Sequence, residues 1–185
     1  AVNALETPLL THVSQFRDVT IRGLHLLVSS STVSQLVANS LTIDNAVVTH
    51  PPRDLNGLRI TLSQALTLTN GAAISVDGRG LLGGGQGSAF GDAGETYATD
   101  LVTVAAGSTG GSGGSYGGFG GGTNANPLYG TSANPQNLGS GGSRVGTGQG
   151  GPGGGLISVD AGACSLDFNS SITARGGDAV AGSGS

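Results

Sequence analysis

Three carboxylates lie close together in the chain and could bind a metal ion. Asp92, Glu95 and Asp100 flank Tyr97 in a short polar stretch, and Ca²⁺ prefers oxygen-rich loops of this kind. Their spacing matches neither an EF-hand nor the nonapeptide Ca²⁺ repeat. Two interpretations stay open: a solvated acidic loop, or a site for one structural Ca²⁺. No other cofactor is indicated.

Paired carboxylates could also hydrolyse a glycosidic bond, which requires two of them to face each other across a groove. The segments outside the glycine-rich region contain no Trp and few basic or aromatic residues that could hold a sugar. Asp77 is followed by glycine in the sequence Val-Asp-Gly, which is an ordinary turn signal. The sequence therefore predicts no catalytic residues and no enzyme. The carboxylates considered are Asp44, Asp77, Asp160 and Asp167.

The other reactive side chains lack the spacing that catalysis or metal binding needs. Cys164 is the only cysteine, so no intrachain disulfide can form, and we expect it to be a small core residue. The serines include no Gly-x-Ser-x-Gly elbow. No two histidines have metal-ligand spacing; they are His12, His25 and His50.

The composition limits the classes of partner. All seven cationic residues are arginines, they are scattered, and the net charge is −4, so the clustered positive charge of a nucleic-acid-binding protein is missing. No apolar run is long enough to span a bilayer. The sequence therefore predicts neither nucleic-acid binding nor a membrane span.

Short β-strands alternate with turn residues in the first half of the chain. Each strand is too short for a helix and shows alternation or β-branched enrichment. The pattern predicts strands at Val19–Ile21, Leu41–Ile43, Val47–Val48, Leu58–Ile60, Leu66–Leu68 and Ile74–Val76.

The strands recur with an internal period of roughly 20 to 25 residues. The stretch from Leu166 to Ile172 also matches the stretch from Leu68 to Ile74, with the same spacing in both. This favours an all-β fold, a right-handed parallel β-helix or solenoid with these four residues as an inward ladder. A β-sandwich carrying an insertion is the alternative.

Most of the 37 glycines lie between the matching stretches, often at every third position. That is the period of an extended polyproline-II-type helix, and glycine lets neighbouring backbones approach closely. We expect a long, partly polyglycine-II-like insertion pinned by Tyr116, Phe119 and Tyr129. The predicted organisation is an N-terminal segment that is extended or serves for capping or docking, β-helix coils, the glycine-rich insertion packed on them, and a returning coil that continues or stacks on a neighbour: 1–15, 16–80, 81–155 and 156–185.

The glycine-rich region resembles a known class of proteins. Its Gly-Gly-Ser-Tyr-Gly-Gly-Phe run around Tyr116, its Leu-Gly-Ser-Gly-Gly motif from Leu138 and its Leu-Ile-Ser-Val stretch from Leu156 are similar to the β-helical repeat regions of large secreted or cell-surface adhesin-like proteins. The resemblance covers about residues 65 to 180 and brings no catalytic residues. It implies an extracellular or cell-surface location.

These observations favour a non-catalytic structural protein, because a short solenoid has two open ends that must be covered. The cover would be another copy stacked head to tail, or adjoining repeats of a longer chain. The expected function is a filament or fibre subunit or an adhesin stalk segment. The alternative is a surface adhesin or binding module whose glycine-rich insertion recognises a glycan or a receptor.

Overall fold

The computed structural model describes residues 9–10, 14–28 and 35–181. The predicted segment 1–15 lies largely outside these ranges. The described residues form eleven strands and no helix: β1 (Leu9–Leu10), β2 (Ser14–Arg22), β3 (His25–Val28), β4 (Gln35–Asp44), β5 (Val47–Thr49), β6 (Leu58–Thr69), β7 (Ala73–Ser75), β8 (Glu95–Tyr97), β9 (Val104–Ala106), β10 (Ile157–Leu166) and β11 (Ser171–Thr173).

The strands form three sheets. The first is parallel throughout and has the order β10-β6-β4-β2, and the second, also parallel, has the order β1-β3-β5-β7-β11. The third is a small antiparallel ribbon of β8 and β9. Because the chain passes from one parallel sheet to the other and back, strands that are distant in sequence become neighbours.

Alternation along the strands places one set of side chains in a core. In β6, Leu58, Ile60 and Leu62 are buried, as are Leu66 and Leu68 further along. Successive side chains of a strand point to opposite faces, so this spacing directs every second residue inward. The apolar side chains of the two parallel sheets form one buried cluster.

The turns after three strands of the first sheet share one backbone conformation. Gly23, Asn45 and Asn70 follow β2, β4 and β6, and their φ angles are 64°, 47° and 56°. Glycine has no Cβ to clash in this left-handed region, and asparagine tolerates it better than most residues. The sequence therefore repeats its turn chemistry as well as its strands.

The described chain divides into two compact units. Unit 1 contains the parallel sheets and comprises residues from 1–51, 56–76 and 157–173. Unit 2 comprises residues from 52–55, 77–156 and 174–185 and contains the glycine-rich region with the antiparallel ribbon. A small apolar cluster supports unit 2: Leu81, Tyr97, Leu138 and Leu156.

Extended segments in unit 2 bond to more neighbours than strands of a sheet can. The segment 139–143 accepts from Leu81 N and Gly84 N, and it donates to Glu95 O, Ser112 O, Gly151 O and Gly154 O, all at 2.8 to 3.0 Å. A strand within a sheet has two neighbours, whereas this segment has four. Backbone hydrogen bonds therefore connect the segments of a unit that has few buried apolar side chains.

Close backbone approach in unit 2 depends on glycine. A Cβ at Gly150 would overlap the carbonyl oxygen of Gly142, and one at Gly153 would overlap that of Gly139. At such approaches a Cα–H lies against a carbonyl oxygen, a weak but recurrent attraction. The close approach predicted from the glycine rows is present at these positions.

The predicted fold class is wrong. The described residues show two parallel sheets and a small antiparallel sheet, not a clear β-helix solenoid, and the glycine-rich residues belong to a compact unit of their own. The internal period suggested β-helix coils on either side of a long, partly polyglycine-II-like insertion. The glycine-rich segments instead satisfy their backbone groups with each other, and β8 and β9 pair antiparallel among them.

The predicted strands themselves are present, although their lengths differ from expectation. Leu58–Ile60 and Leu66–Leu68 are parts of one twelve-residue strand, β6. The polar residues Ser63 and Gln64 lie between them. The register of β6 shifts at this point against both β4 and β10, so a bulge accommodates these residues without ending the strand.

Candidate functional site

One end of the two parallel sheets exposes apolar side chains. Among the described residues, β10 and β11 are edge strands with a sheet neighbour on one side only. Leu166 is 42% exposed, Phe168 is 100% exposed and Ile172 is 38% exposed. We call residues 157–173 the sheet-edge surface. An exposed apolar edge with unpaired backbone groups is suited to pairing with another chain.

The four residues expected to form an inward ladder divide into two classes. Leu166 pairs in register with Leu68, and Ile172 with Ile74. Leu68 and Ile74 are fully buried, whereas Leu166 and Ile172 are partly exposed. The cause is position, because Leu166 and Ile172 lie on the edge strands β10 and β11. Among the described residues, no further strand pairs with these two strands on their outer side.

Unit 2 contains an open groove with a volume of about 620 Å³. That size falls within the range of about 300 to 1,000 Å³ that is usual for ligand pockets. Extended glycine-rich segments form most of its lining, which also includes Tyr116, Ser132 and Asn137. The described lining residues include no Asp, Glu, Lys or Arg. The groove is therefore suited to a neutral ligand.

Three tyrosines pack edge to face beside the apolar cluster of unit 2. The ring centroid of Tyr129 lies 5.1 Å from that of Tyr116 and 5.5 Å from that of Tyr97. The Tyr129 hydroxyl donates to Leu138 O at 2.7 Å, and Ser140 Oγ lies 2.9 Å from it. Burial is the main cause that raises the pKa of Tyr129. Two of the residues expected to pin the glycine tract thus contact each other, whereas Phe119 is 80% exposed.

The three carboxylates considered for Ca²⁺ have separate surroundings. Asp92 Oδ1 lies 3.1 Å from Arg144 Nη1. Asp100 accepts from the hydroxyl and the backbone N–H of Thr103, and chiefly the hydroxyl bond lowers the pKa of Asp100. Within the described ranges, no three His, Cys, Asp or Glu residues are grouped so that they could hold a metal ion.

Glu95, the third of these carboxylates, is buried beside an arginine. Its Oε2 lies 2.8 Å from Arg53 Nε and accepts from Leu82 N at 3.0 Å. The pair was not predicted from the sequence, because Arg53 and Glu95 are 42 residues apart. The arrangement gives the carboxylate a structural role, since it connects three segments of unit 2.

The carboxylates considered for glycoside hydrolysis bind turns or lie on the surface. Asp44 contacts Arg22 Nε at 2.6 Å and accepts from Asn70 Nδ2. Asp77 accepts from Arg175 N, Asp167 accepts from Asn70 N and Ser170 Oγ, and Asp160 is exposed on β10. The described structure places none of them in the groove lining.

The cysteine and the histidines also lie apart. Cys164 is exposed, so the expectation of a core residue is wrong; β10 is an edge strand and most of its second half is uncovered. His12 lies outside the described residues. His25 is exposed, and the buried His50 has its Nδ1 at 2.7 Å from Pro51 O.

Within the described ranges no helix has the length and apolar character to cross a bilayer. Searches against family models, curated proteins and solved structures find no match to this chain.

Proposed function

We propose that the chain is a non-catalytic structural protein that associates with further copies of itself through the edges of its parallel sheets. The observation that carries this proposal is the sheet-edge surface, where Phe168 and the partly exposed Leu166 and Ile172 lie on or beside edge strands. Burial of an aromatic side chain removes about 150 to 250 Å² from water. A partner there would also satisfy unpaired backbone groups.

The edge lacks the usual protection against pairing. Natural edge strands carry Lys, Pro or inward charges that prevent association. The ten residues of β10 contain one charged side chain, the outward-facing Asp160, and neither Lys nor Pro. A long strand without such protection supports an interface at this edge.

A parallel sheet favours continuing association. Its two edges differ, since β10 ends the first sheet on one side and β2 on the other. Pairing between unlike edges of two copies is heterologous and leaves a free edge for the next copy. The proposal is therefore a filament or fibre subunit, or a segment of an adhesin stalk. Its extracellular or cell-surface location is part of the proposal and rests on the resemblance of the glycine-rich region.

The test compares two phenylalanines with the same substitution. Phe168→Lys places a charge on the sheet-edge surface, whereas Phe119→Lys changes an 80% exposed side chain of unit 2. Sedimentation velocity and electron microscopy at micromolar concentration should show assemblies for the wild type and for Phe119→Lys, and shorter species for Phe168→Lys. A wild-type protein that stays monomeric would contradict the proposal.

The groove favours a second candidate function, a binding module that recognises a glycan or a receptor. Tyr116 lines the groove, and the ring of Tyr129 packs edge to face against the ring of Tyr116. Tyr116→Ala should then remove binding, with a smaller loss in the free energy of unfolding than Tyr129→Ala, because the Tyr116 ring packs against one tyrosine and the Tyr129 ring against two. Tyr129→Ala should lower stability, since Tyr129 is the more deeply packed ring. A glycan array with purified monomer would measure the binding.

A further inference from the structure

Most glycines of unit 2 have an internal reason to be glycine. Gly150 and Gly153 lie so close to neighbouring carbonyl groups that a Cβ would overlap them. Others, such as Gly117 with φ of 51°, adopt a left-handed conformation that L side chains rarely take. At these positions the chain's own packing excludes any side chain.

Neither close backbone contact nor a left-handed φ angle explains why residues 142 and 176 are glycine. A Cβ on Gly142 would lie 3.6 Å from Ser112 O, and one on Gly176 would lie 3.5 Å from Pro152 O, both at ordinary van der Waals distance. Neither residue has a φ in the left-handed range. Both line the groove. The chain itself could accept a Cβ at these positions, so its own packing does not require glycine there.

The walls of the groove match the backbone surfaces that pack against each other elsewhere in unit 2. The segment 139–143, which already bonds to four neighbours, forms part of the lining, together with parts of 151–155 and 174–179. An extended chain without bulky side chains can approach such walls as the glycine segments approach one another. The neutral lining favours an uncharged occupant.

We propose that the groove binds an extended, uncharged, glycine-rich polypeptide segment from another chain, and that Gly142 and Gly176 leave space for its backbone. This inference rests on the second candidate function, in which unit 2 carries a recognition surface. A glycan fits the lining less well, because sugar sites commonly offer aromatic faces. Among the described lining residues only Tyr116 is aromatic, and its ring already packs against Tyr129.

The first experiment measures peptide binding by fluorescence anisotropy. The labelled peptide copies residues 107–115 of this chain, Gly-Ser-Thr-Gly-Gly-Ser-Gly-Gly-Ser, which has no charged or bulky side chain. The comparison peptide has alanine in place of every glycine. We expect saturable binding of the first peptide and at least tenfold weaker binding of the second. Equal binding of both peptides, or no binding of the first, would overturn the inference.

The second experiment places a side chain at each of the two groove glycines. Gly142→Val and Gly176→Val should each weaken peptide binding at least tenfold. Gly121→Val is the matched control, because a Cβ there meets nothing within 4 Å and Gly121 is not part of the lining. It should bind like the wild type. Undiminished binding by both groove variants would contradict the inference.

Smaller substitutions and a direct map of the binding site cover the case in which valine destabilises the fold. If valine destabilises the fold, Gly142→Ala and Gly176→Ala provide smaller changes, and ¹⁵N–¹H shift changes in the wild type should cluster at the groove. Shift changes elsewhere would overturn the site.

Glycan binding and assembly separate this inference from the two proposed functions. Glycan binding that depends on Tyr116, without peptide binding, would overturn the inference and support the recognition function. Assembly, scored with Phe168→Lys, is a separate measurement.

Discussion

Arg53 Nε lies 2.8 Å from Glu95 Oε2, and the carboxylate side chain is almost completely buried, with 1% of its surface exposed. The arginine is 43% exposed, so only one member of the pair has lost its hydration. Glu95 Oε1 has no hydrogen-bond partner among the described residues. The buried carboxylate therefore depends on Arg53 and on the N–H of Leu82 for compensation.

Removal of Arg53 should destabilise the protein strongly. Arg53→Met leaves a buried carboxylate without its cation, and we expect a loss of about 3 kcal/mol in the free energy of unfolding. Urea denaturation followed by circular dichroism measures it. Arg22→Met is the control, because the Arg22 side chain is 70% exposed beside Asp44 and such pairs contribute little. Similar losses in the two variants would show that Arg53 does not stabilise Glu95.

Two isoleucines paired in register should respond differently to a charge. Ile74 is fully buried and its neighbour Ile172 is 38% exposed. Ile74→Asp buries an unpaired charge and should prevent folding, with a cost above about 4 kcal/mol. Ile172→Asp should still fold, because its carboxylate reaches water. Circular dichroism and solubility distinguish the two, and a native-like Ile74→Asp protein would refute the assigned burial.

Glycines of unit 2 should differ sharply in their tolerance of alanine. Gly150→Ala would force a Cβ into the carbonyl group of Gly142, and we expect a loss of about 3 kcal/mol or more. Gly121→Ala meets nothing within 4 Å and should be nearly neutral. Thermal unfolding compares them. A neutral Gly150→Ala would mean that the segments do not approach as closely as described.

Stability should fall at alkaline pH because of the buried tyrosines. Burial raises the pKa of Tyr129 and of Tyr97 above the ordinary value of 10.0. The unfolded chain then releases its phenolic protons first, so stability is constant below about pH 9 and falls as the pH rises through 10. Unfolding midpoints from pH 7 to 11 measure this.

Tyr129→Phe provides the control for the alkaline effect. It should cost about 1 to 2 kcal/mol at pH 7, because its hydrogen bonds to Leu138 and Ser140 are lost. Its stability should then decline less steeply above pH 10. An unchanged decline would assign the effect to other groups.

Local sequence patterns predicted five strands of unit 1, with β6 predicted as two short strands; they are β2, β4, β5, β6 and β7. The match between the stretches from Leu68 to Ile74 and from Leu166 to Ile172 corresponds to the parallel pairing of β6 with β10 and β7 with β11. Alternation identified the buried face of β6, and glycine rows indicated close backbone approach. These features depend on residues within one strand or turn, or on repeated residue types.

Only the tertiary structure decided which positions are covered. Leu166 and Ile172 have the same residue types as buried positions but lie on edge strands, and Cys164 is exposed for the same reason. The Arg53–Glu95 pair and the groove beside Gly142 join segments that are far apart in sequence. Burial, ion pairing and cavity shape depend on which distant segments come into contact, and a local sequence pattern does not specify those contacts.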